Sequence, residues 1–257
     1  MTGADTLALR TVVVRRYVTP LREGGSMPAV VEADDLGLYV LKFRGAGQGV
    51  RALIAEIISG GIARALGLPV PEIVLAELDA ELARTEPDPE IQDLIRASGG
   101  LNVALDYLSG AVNFDPAVDE VTADFANRLV WFDALVSNVD RTARNTNLLI
   151  WHRRPWLIDH GASLTFHHAW NGTVADPGKP FAPIAEHVLL ARADALAQMD
   201  SELAARLTPA VLHAAVAAVP PDFLAEAGVG AQAYVDYFTA RLADRARWLQ
   251  GAIDARG

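Results

Sequence analysis

Cysteine is absent from this 257-residue chain, and so are long uninterrupted apolar runs. The first absence excludes disulfides and thiolate metal sites, and it is compatible with a reducing cytoplasm. No run approaches the roughly 20 apolar residues that a membrane-spanning helix needs. Met1–Arg16 also contains no apolar block of signal-peptide length before its first arginines. We therefore expect a cytoplasmic protein with no membrane partner.

Basic residues are scarce, because 22 Lys and Arg stand against 32 Asp and Glu, for a formal net charge of -10. Broad nucleic-acid binding needs a basic face, so we do not expect it, although a local basic patch fits this balance. Hydrophobic residues make up 51% and charged residues 21%, as in ordinary globular proteins. The length allows one large domain or two lobes.

The most informative stretch runs from Ser137 to Gly161. Asp140 is followed five positions later by Asn145, and Asp159 stands fourteen positions beyond that. In phosphoryl transfer by protein kinases, one Asp orients the attacking hydroxyl, while a nearby Asn and a second Asp hold the metal ions. Between Asn145 and Asp159 the sequence predicts a hairpin, with strands at Leu148–Trp151 and Trp156–Ile158 and a turn at 153–155. Such a hairpin brings Asn145 and Asp159 close enough to share a cation.

The N-terminal part predicts an antiparallel sheet with one helix. Strands are expected at 11–18, 29–32, 38–43, 73–78 and 102–108, and a helix at 50–66. Gly24, Gly25 and Ser26 form a loop between the first two strands, which either closes over phosphates or is a plain hairpin turn. Lys42 interrupts an apolar strand, so it either points at an anionic ligand or snorkels from the sheet edge. Glu56, on the helix, is either its ion-pair partner or a solvated carboxylate.

The C-terminal part is mainly helical. Helices are expected at 122–136, 201–218 and 231–255, with a mainly acidic insertion at 81–97 in the N-terminal part. The segment 105–110 is the natural hinge, where Asp106 and Tyr107 would meet an adenine ring. The predicted fold is therefore α+β and bilobal, with residues 1–108 as the N-lobe and 109–257 as the C-lobe.

These residues resemble a known family. Asn138-Val139-Asp140-Arg141 with Asn145, and Leu157-Ile158-Asp159-His160-Gly161, are similar to motifs of the HipA-like kinases and, more distantly, of the phosphatidylinositol kinases. Residues 65–71 also resemble the HipA N-lobe. The resemblance covers roughly residues 10–215. It implies a protein-kinase-like fold, ATP and Mg²⁺ as cofactors, and transfer of phosphate to a serine or threonine hydroxyl of a protein.

By position, the resemblance assigns a role to each site residue. Asp140 would be the catalytic base or hydroxyl-orienting group, and Asn145 and Asp159 the metal ligands. Lys42 would contact the α- and β-phosphates and Glu56 would pair with it.

One departure keeps other functions open. Thr142 stands where many protein kinases place a lysine, and Arg141 or Arg144 would have to supply the positive charge near the γ-phosphate. One alternative is a pseudokinase that binds nucleotide or a partner without chemistry. Another is a kinase of a small molecule or a lipid, and the acidic composition makes a membrane substrate the less favoured of these. The sequence predicts neither the acceptor nor the oligomeric state.

Overall fold

The N-terminal part of the computed structural model is a closed five-stranded β-barrel; the structure describes residues 9–21, 27–173 and 176–257. The strands lie in the order β1-β2-β3-β5-β4 around the barrel. Their bounds are β1 Thr11–Pro20, β2 Ala29–Ala33, β3 Leu38–Lys42, β4 Ile73–Leu78 and β5 Gly100–Asp106. The predicted Gly24-Gly25-Ser26 loop lies outside the described residues.

The barrel corrects the expectation of a wholly antiparallel sheet. Four strand pairs are antiparallel, but β1 pairs with β4 in parallel, from Thr11 opposite Leu75 to Val13 opposite Glu77. That pairing removes the free edges which an open sheet would expose. Alternating apolar residues such as Val12 and Val14 fill the interior, as the period of two in a strand requires.

Helix α1, Val50–Ala65, lies between the barrel and the helices at the C-terminal end of the chain. It begins and ends within a residue of the bounds that its apolar periodicity predicts. Its side chains belong to the larger of two hydrophobic clusters, which combines barrel residues with residues of the C-terminal helices. At Gly60 the helix approaches β4 so closely that a Cβ would lie 2.3 Å from Cδ1 of Ile73. The main core therefore extends across the predicted boundary at residue 108.

The remaining helices are α2 Pro89–Ala97, α3 Ala123–Val136, α4 Leu196–Arg206, α5 Pro209–Ala217, α6 Pro221–Ala227, α7 Ala231–Ala243 and α8 Arg245–Arg256. Two expected long helices are each divided in the structure. Pro209 begins a new helix after Thr208, whose hydroxyl caps it by accepting from the N–H of Val211. Asp244 separates α7 from α8 by leaving the helical conformation, with φ of -101° and ψ of 25°, and its side chain makes no capping hydrogen bond.

A second, three-stranded sheet carries the predicted hairpin. It consists of β6 Val112–Asn113, β7 Leu148–Trp151 and β8 Arg154–Leu157, in that order. The turn is formed by His152 and Arg153, both with positive φ, one position earlier than expected. Pro155 therefore lies within β8 rather than in the turn, which an edge strand tolerates.

Among the described residues no single helix is long and apolar enough to cross a membrane. By length and composition, α5 and α6 together pass such a test, with a bend of 87° between them.

Candidate active site

Lys42 connects two carboxylates. Its Nζ lies 2.8 Å from Oε2 of Glu56 and 2.5 Å from Oδ1 of Asp159. Side-chain exposure is 12% for Lys42, 0% for Glu56 and 37% for Asp159, so the cluster opens to solvent on the Asp159 side. Strand β3 supplies the lysine, α1 the glutamate and the segment after β8 the aspartate. The predicted ion pair between Lys42 and Glu56 is therefore present, and it includes a third member.

Both buried members of this cluster are held in their charged forms. Burial alone would lower the pKa of Lys42, but Glu56 and Asp159 outweigh it and raise that pKa well above its usual value. Burial alone would raise the pKa of Glu56, but Lys42 and His160 outweigh it and lower that pKa. The cluster thus holds a charged ammonium between the buried Glu56 carboxylate and the partly exposed Asp159 carboxylate.

The catalytic-loop candidates Asp140 and Asn145 are in direct contact. Asn145 Nδ2 donates to Oδ2 of Asp140 at 2.9 Å. Asn147, which the sequence analysis did not select, donates through Nδ2 to the main-chain oxygen of Asp140 at 2.6 Å. The N–H of Asp140 in turn donates to Oδ1 of Asn138 at 3.1 Å. Asn145 therefore fixes one oxygen of the Asp140 carboxylate, while Asn138 and Asn147 hold the main chain of Asp140.

The hairpin brings Asp159 beside this loop. Ile158 N–H donates to the main-chain oxygen of Asn147 at 3.1 Å. Ile158 directly precedes Asp159, and Asn147 lies two residues after Asn145, so this hydrogen bond holds the two segments side by side. Asp159 adopts a left-handed conformation with φ of 55°, a strained state for a non-glycine residue. Such strain is concentrated at functional sites because the surrounding structure must impose it.

The oxygen atoms here suit a hard divalent cation. Asn145 donates from its amide nitrogen to Asp140, which leaves its Oδ1 as an oxygen ligand. Asp159 accepts from Lys42 through Oδ1, which leaves its Oδ2 as a second ligand. No group of three or more His, Cys, Asp or Glu in the described part of the chain could hold a metal ion by itself. This arrangement fits Mg²⁺, which is commonly bound through one or two carboxylates while water and substrate phosphates complete the coordination.

Arg141 corrects the expectation of a phosphate-facing arginine. Its side chain is fully buried, and Nε donates to Oδ2 of Asp133 at 2.6 Å. Another guanidinium nitrogen donates to the main-chain oxygen of Asn147. The guanidinium thus anchors the loop from the interior through Asp133 and the main chain of Asn147, and it does not face the open side of the site.

Asp133, in α3, is the second residue that the sequence analysis missed. Besides Arg141, it accepts from His187 Nε2 at 3.0 Å and from Asn138 Nδ2 at 3.0 Å. Burial alone would raise the pKa of Asp133, but Arg141 and His187 outweigh it and lower that pKa. One buried carboxylate therefore holds the residues on both sides of Asp140. The signal that could have identified it is a charged residue inside the apolar run 130–136.

Arg144 differs from Arg141 in its surroundings. It is exposed, and among the described residues it has no ion-pair partner. The turn that presents it is closed by Thr142, whose N–H donates to the Asn145 oxygen at 2.9 Å and whose hydroxyl accepts from the Asn145 N–H. Of the two arginines, Arg144 is the one whose charge is free beside the catalytic loop.

The hinge candidates Asp106 and Tyr107 follow β5. The N–H of Asp106 donates to the oxygen of Glu72 at 2.8 Å, and that of Tyr107 to the oxygen of Leu38 at 2.9 Å. Burial, followed by the nearby Glu72 carboxylate, raises the pKa of Asp106. Both main-chain amides are thus used by the barrel, and a ligand at this edge would have to use other groups.

Two solved kinase structures are similar to this chain over most of its length. A solved structure of the Helicobacter pylori proinflammatory kinase CtkA is similar over 96% of this chain and 98% of its own, at 12% identity and a TM-score of 0.59. A Golgi casein kinase structure with Mn and ADP bound is similar over 97% of this chain and 74% of its own, at 12% identity and a TM-score of 0.51. At such low identity these similarities establish a kinase-like fold.

No sequence among the curated proteins matches the chain. The family model of the HipA-like kinases matches residues 13–239, which is more than half of the chain. The resemblance seen in the sequence is thereby confirmed, and the chain belongs to the HipA-like kinase family.

Proposed function

We propose that the protein transfers the γ-phosphate of ATP, with Mg²⁺, to a serine or threonine hydroxyl of a protein. One observation carries the proposal: the hairpin of β7 and β8 follows the loop that holds Asp140 and Asn145, and it leads into Asp159 of the ion cluster with Lys42 and Glu56. Family membership supports the phosphotransferase class. The protein acceptor and the choice of metal are extrapolated from the resemblance.

Each residue of the cluster has a distinct task in this reaction. The Lys42 ammonium has three hydrogen-bond donors and uses two on carboxylates, so one remains for a phosphate oxygen. Asp140, with one carboxylate oxygen fixed by Asn145, would orient the acceptor hydroxyl and receive its proton. Asp159 and Asn145 would hold Mg²⁺, which supplies charge neutralisation on the phosphates when bound.

Nucleotide positioning follows from the hinge geometry. The amides of Asp106 and Tyr107 are used by the barrel. We therefore assign the adenine contact to the carbonyl side of these residues and to the main chain that follows. Arg144 takes the task that the missing lysine at position 142 leaves open, because its charge has no partner within the described structure.

Transfer to peptides tests the proposal directly. Purified protein with labelled ATP and Mg²⁺ is offered peptide libraries that contain serine, threonine, tyrosine or no hydroxyl residue. We expect label on the serine and threonine libraries, loss with a chelator, and recovery with added Mg²⁺. Asp140→Asn and Asp159→Asn should each reduce transfer about 100-fold or more, the range of a lost acid–base or charge-stabilising group.

The matched control is Asp254→Asn, which removes an exposed carboxylate from the last helix. It should leave transfer unchanged. Full transfer by Asp140→Asn would contradict the assigned role.

A pseudokinase is the second candidate, favoured by the burial of Arg141 and by Thr142. It predicts nucleotide binding with Mg²⁺ and no transfer to any library. A small-molecule kinase would instead hydrolyse or transfer label without modifying peptides.

A further inference from the structure

His160 follows Asp159 and lies wholly inside the protein, as does Glu56. Its main-chain N–H donates to Oε2 of Glu56 at 2.9 Å. Its ring Nδ1 lies 3.1 Å from Oε1 of the same carboxylate. One residue therefore contacts both oxygens of the glutamate that holds Lys42. This second contact comes from the side chain, and so it depends on a hydrogen-bond donor at the position of Nδ1.

The surroundings show that Nδ1 of His160 carries a hydrogen. Glu56 is a carboxylate and can only accept, so the contact between them is donated by Nδ1. Nε2 is buried and has no partner within the described residues. The ring packs edge-on against Phe132, with centroids 5.8 Å apart. The one hydrogen bond of this imidazole in the described structure is therefore directed at Glu56 Oε1.

A second buried link keeps the main chain of His160 in place. Ser163 Oγ donates to the His160 oxygen at 2.7 Å, and Ser59 Oγ lies 2.7 Å from Ser163 Oγ. Ser59 and Glu56 lie three positions apart in α1, so they project from one face of the helix. Since the main chain is fixed from α1 as well, the imidazole has a constant position from which to orient the carboxylate.

We propose that His160 is a positioning residue for phosphoryl transfer, which holds Glu56 so that its Oε2 meets Lys42. The inference rests on the proposed function. Without the Nδ1 contact, Oε1 of Glu56 is buried without a donor, and the carboxylate must rotate to share the Lys42 ammonium and the main-chain N–H. Lys42 would then pair more closely with Asp159 and draw that carboxylate away from the metal.

Three substitutions separate the hydrogen bond from the shape of the ring. His160→Asn places an amide N–H near the position of Nδ1. His160→Gln places it near Nε2, and His160→Phe keeps a ring without any donor. We expect kcat/KM for ATP to remain within about threefold in His160→Asn and to fall at least tenfold in the other two. His213→Phe, on the exposed side of α5, is the matched control and should have no effect.

A double-mutant cycle with Glu56→Gln tests whether His160 acts through that residue. If it does, His160→Phe reduces kcat/KM by less than twofold when Glu56 is already replaced. Independent, multiplicative losses at the two positions would overturn the proposal, and so would full activity of His160→Phe in the native background.

The same double-mutant cycle, measured as the free energy of unfolding in urea, tests this inference separately from the proposed function. If the unsubstituted protein neither binds nor turns over nucleotide, the proposed function is wrong. The coupling between positions 56 and 160 in unfolding would still show whether the contact orients the carboxylate, and additive effects there would refute it.

Discussion

Replacing Asp133 by Asn should destabilise the protein strongly, because it removes one charge from a fully buried ion pair. Both side chains of the pair with Arg141 have no exposure, and His187 and Asn138 donate to the same carboxylate. Breaking a buried pair by removing one partner typically costs about 3–5 kcal/mol, since the remaining charge is left uncompensated. We expect a loss in this range, which is a large share of the stability of an ordinary domain.

Urea unfolding, monitored by circular dichroism, measures this loss. The matched control is Asp93→Asn, which breaks an exposed pair with Arg96, where the two side chains are 81% and 53% exposed. An exposed pair contributes about 0–1 kcal/mol, so the control should unfold almost as the native protein does. Equal unfolding midpoints for Asp133→Asn and Asp93→Asn would refute the reasoning. A double replacement of Asp133 and Arg141 by Leu should cost less than the sum of the two single replacements.

Two further predictions concern Gly60 and His167. Gly60→Ala should lower the free energy of unfolding in urea by about 1–3 kcal/mol, because its Cβ would clash with Ile73. Ile73→Val should recover part of that loss, and an unchanged unfolding midpoint for Gly60→Ala would contradict the close approach. Burial, followed by His168 and Arg51, lowers the pKa of His167 to about 3, so the unfolded chain binds a proton below about pH 6.5 that the folded chain rejects. The free energy of unfolding is therefore highest above that pH and falls by up to about 1.4 kcal/mol per pH unit below it. His167→Gln should make this decline shallower between pH 6.5 and 5. An unchanged slope in that variant would contradict the effect of burial on His167.

The sequence was most informative where the site depends on local structure. The spacing from Asp140 to Asp159 includes only a loop and a hairpin, so alternation and turn residues were enough to predict that the two ends meet. Lys42 and Glu56 lie on a strand and the helix that follows it, and their contact also follows from a short connection. These contacts close small loops, which local preferences determine well.

The contacts that could not be predicted are those between distant segments. Asp133 receives His187 from a segment 54 positions later, and nothing local to either residue specifies that partner. Likewise the parallel pairing of β1 with β4 depends on the closure of the whole barrel. The division of the C-terminal helices is different, because Thr208 and Pro209 form a recognisable helix start that the apolar periodicity obscured.

The position of α1 limits how this active site can be regulated. The helix holds Glu56 and Ser59 against the segment after Asp159, touches β4 at Gly60, and packs against α5 and α6 on another side. It also buries large aliphatic side chains along its length: Val50, Leu53, Ile54, Ile57, Ile58 and Ile62. Each contributes about 1.5–3 kcal/mol when buried, so withdrawing the helix would cost about as much as the whole stability of a typical domain. We therefore expect regulation to act on exposed parts of the site, such as Asn145, Arg144 and the open side of Asp159, while α1 stays in place.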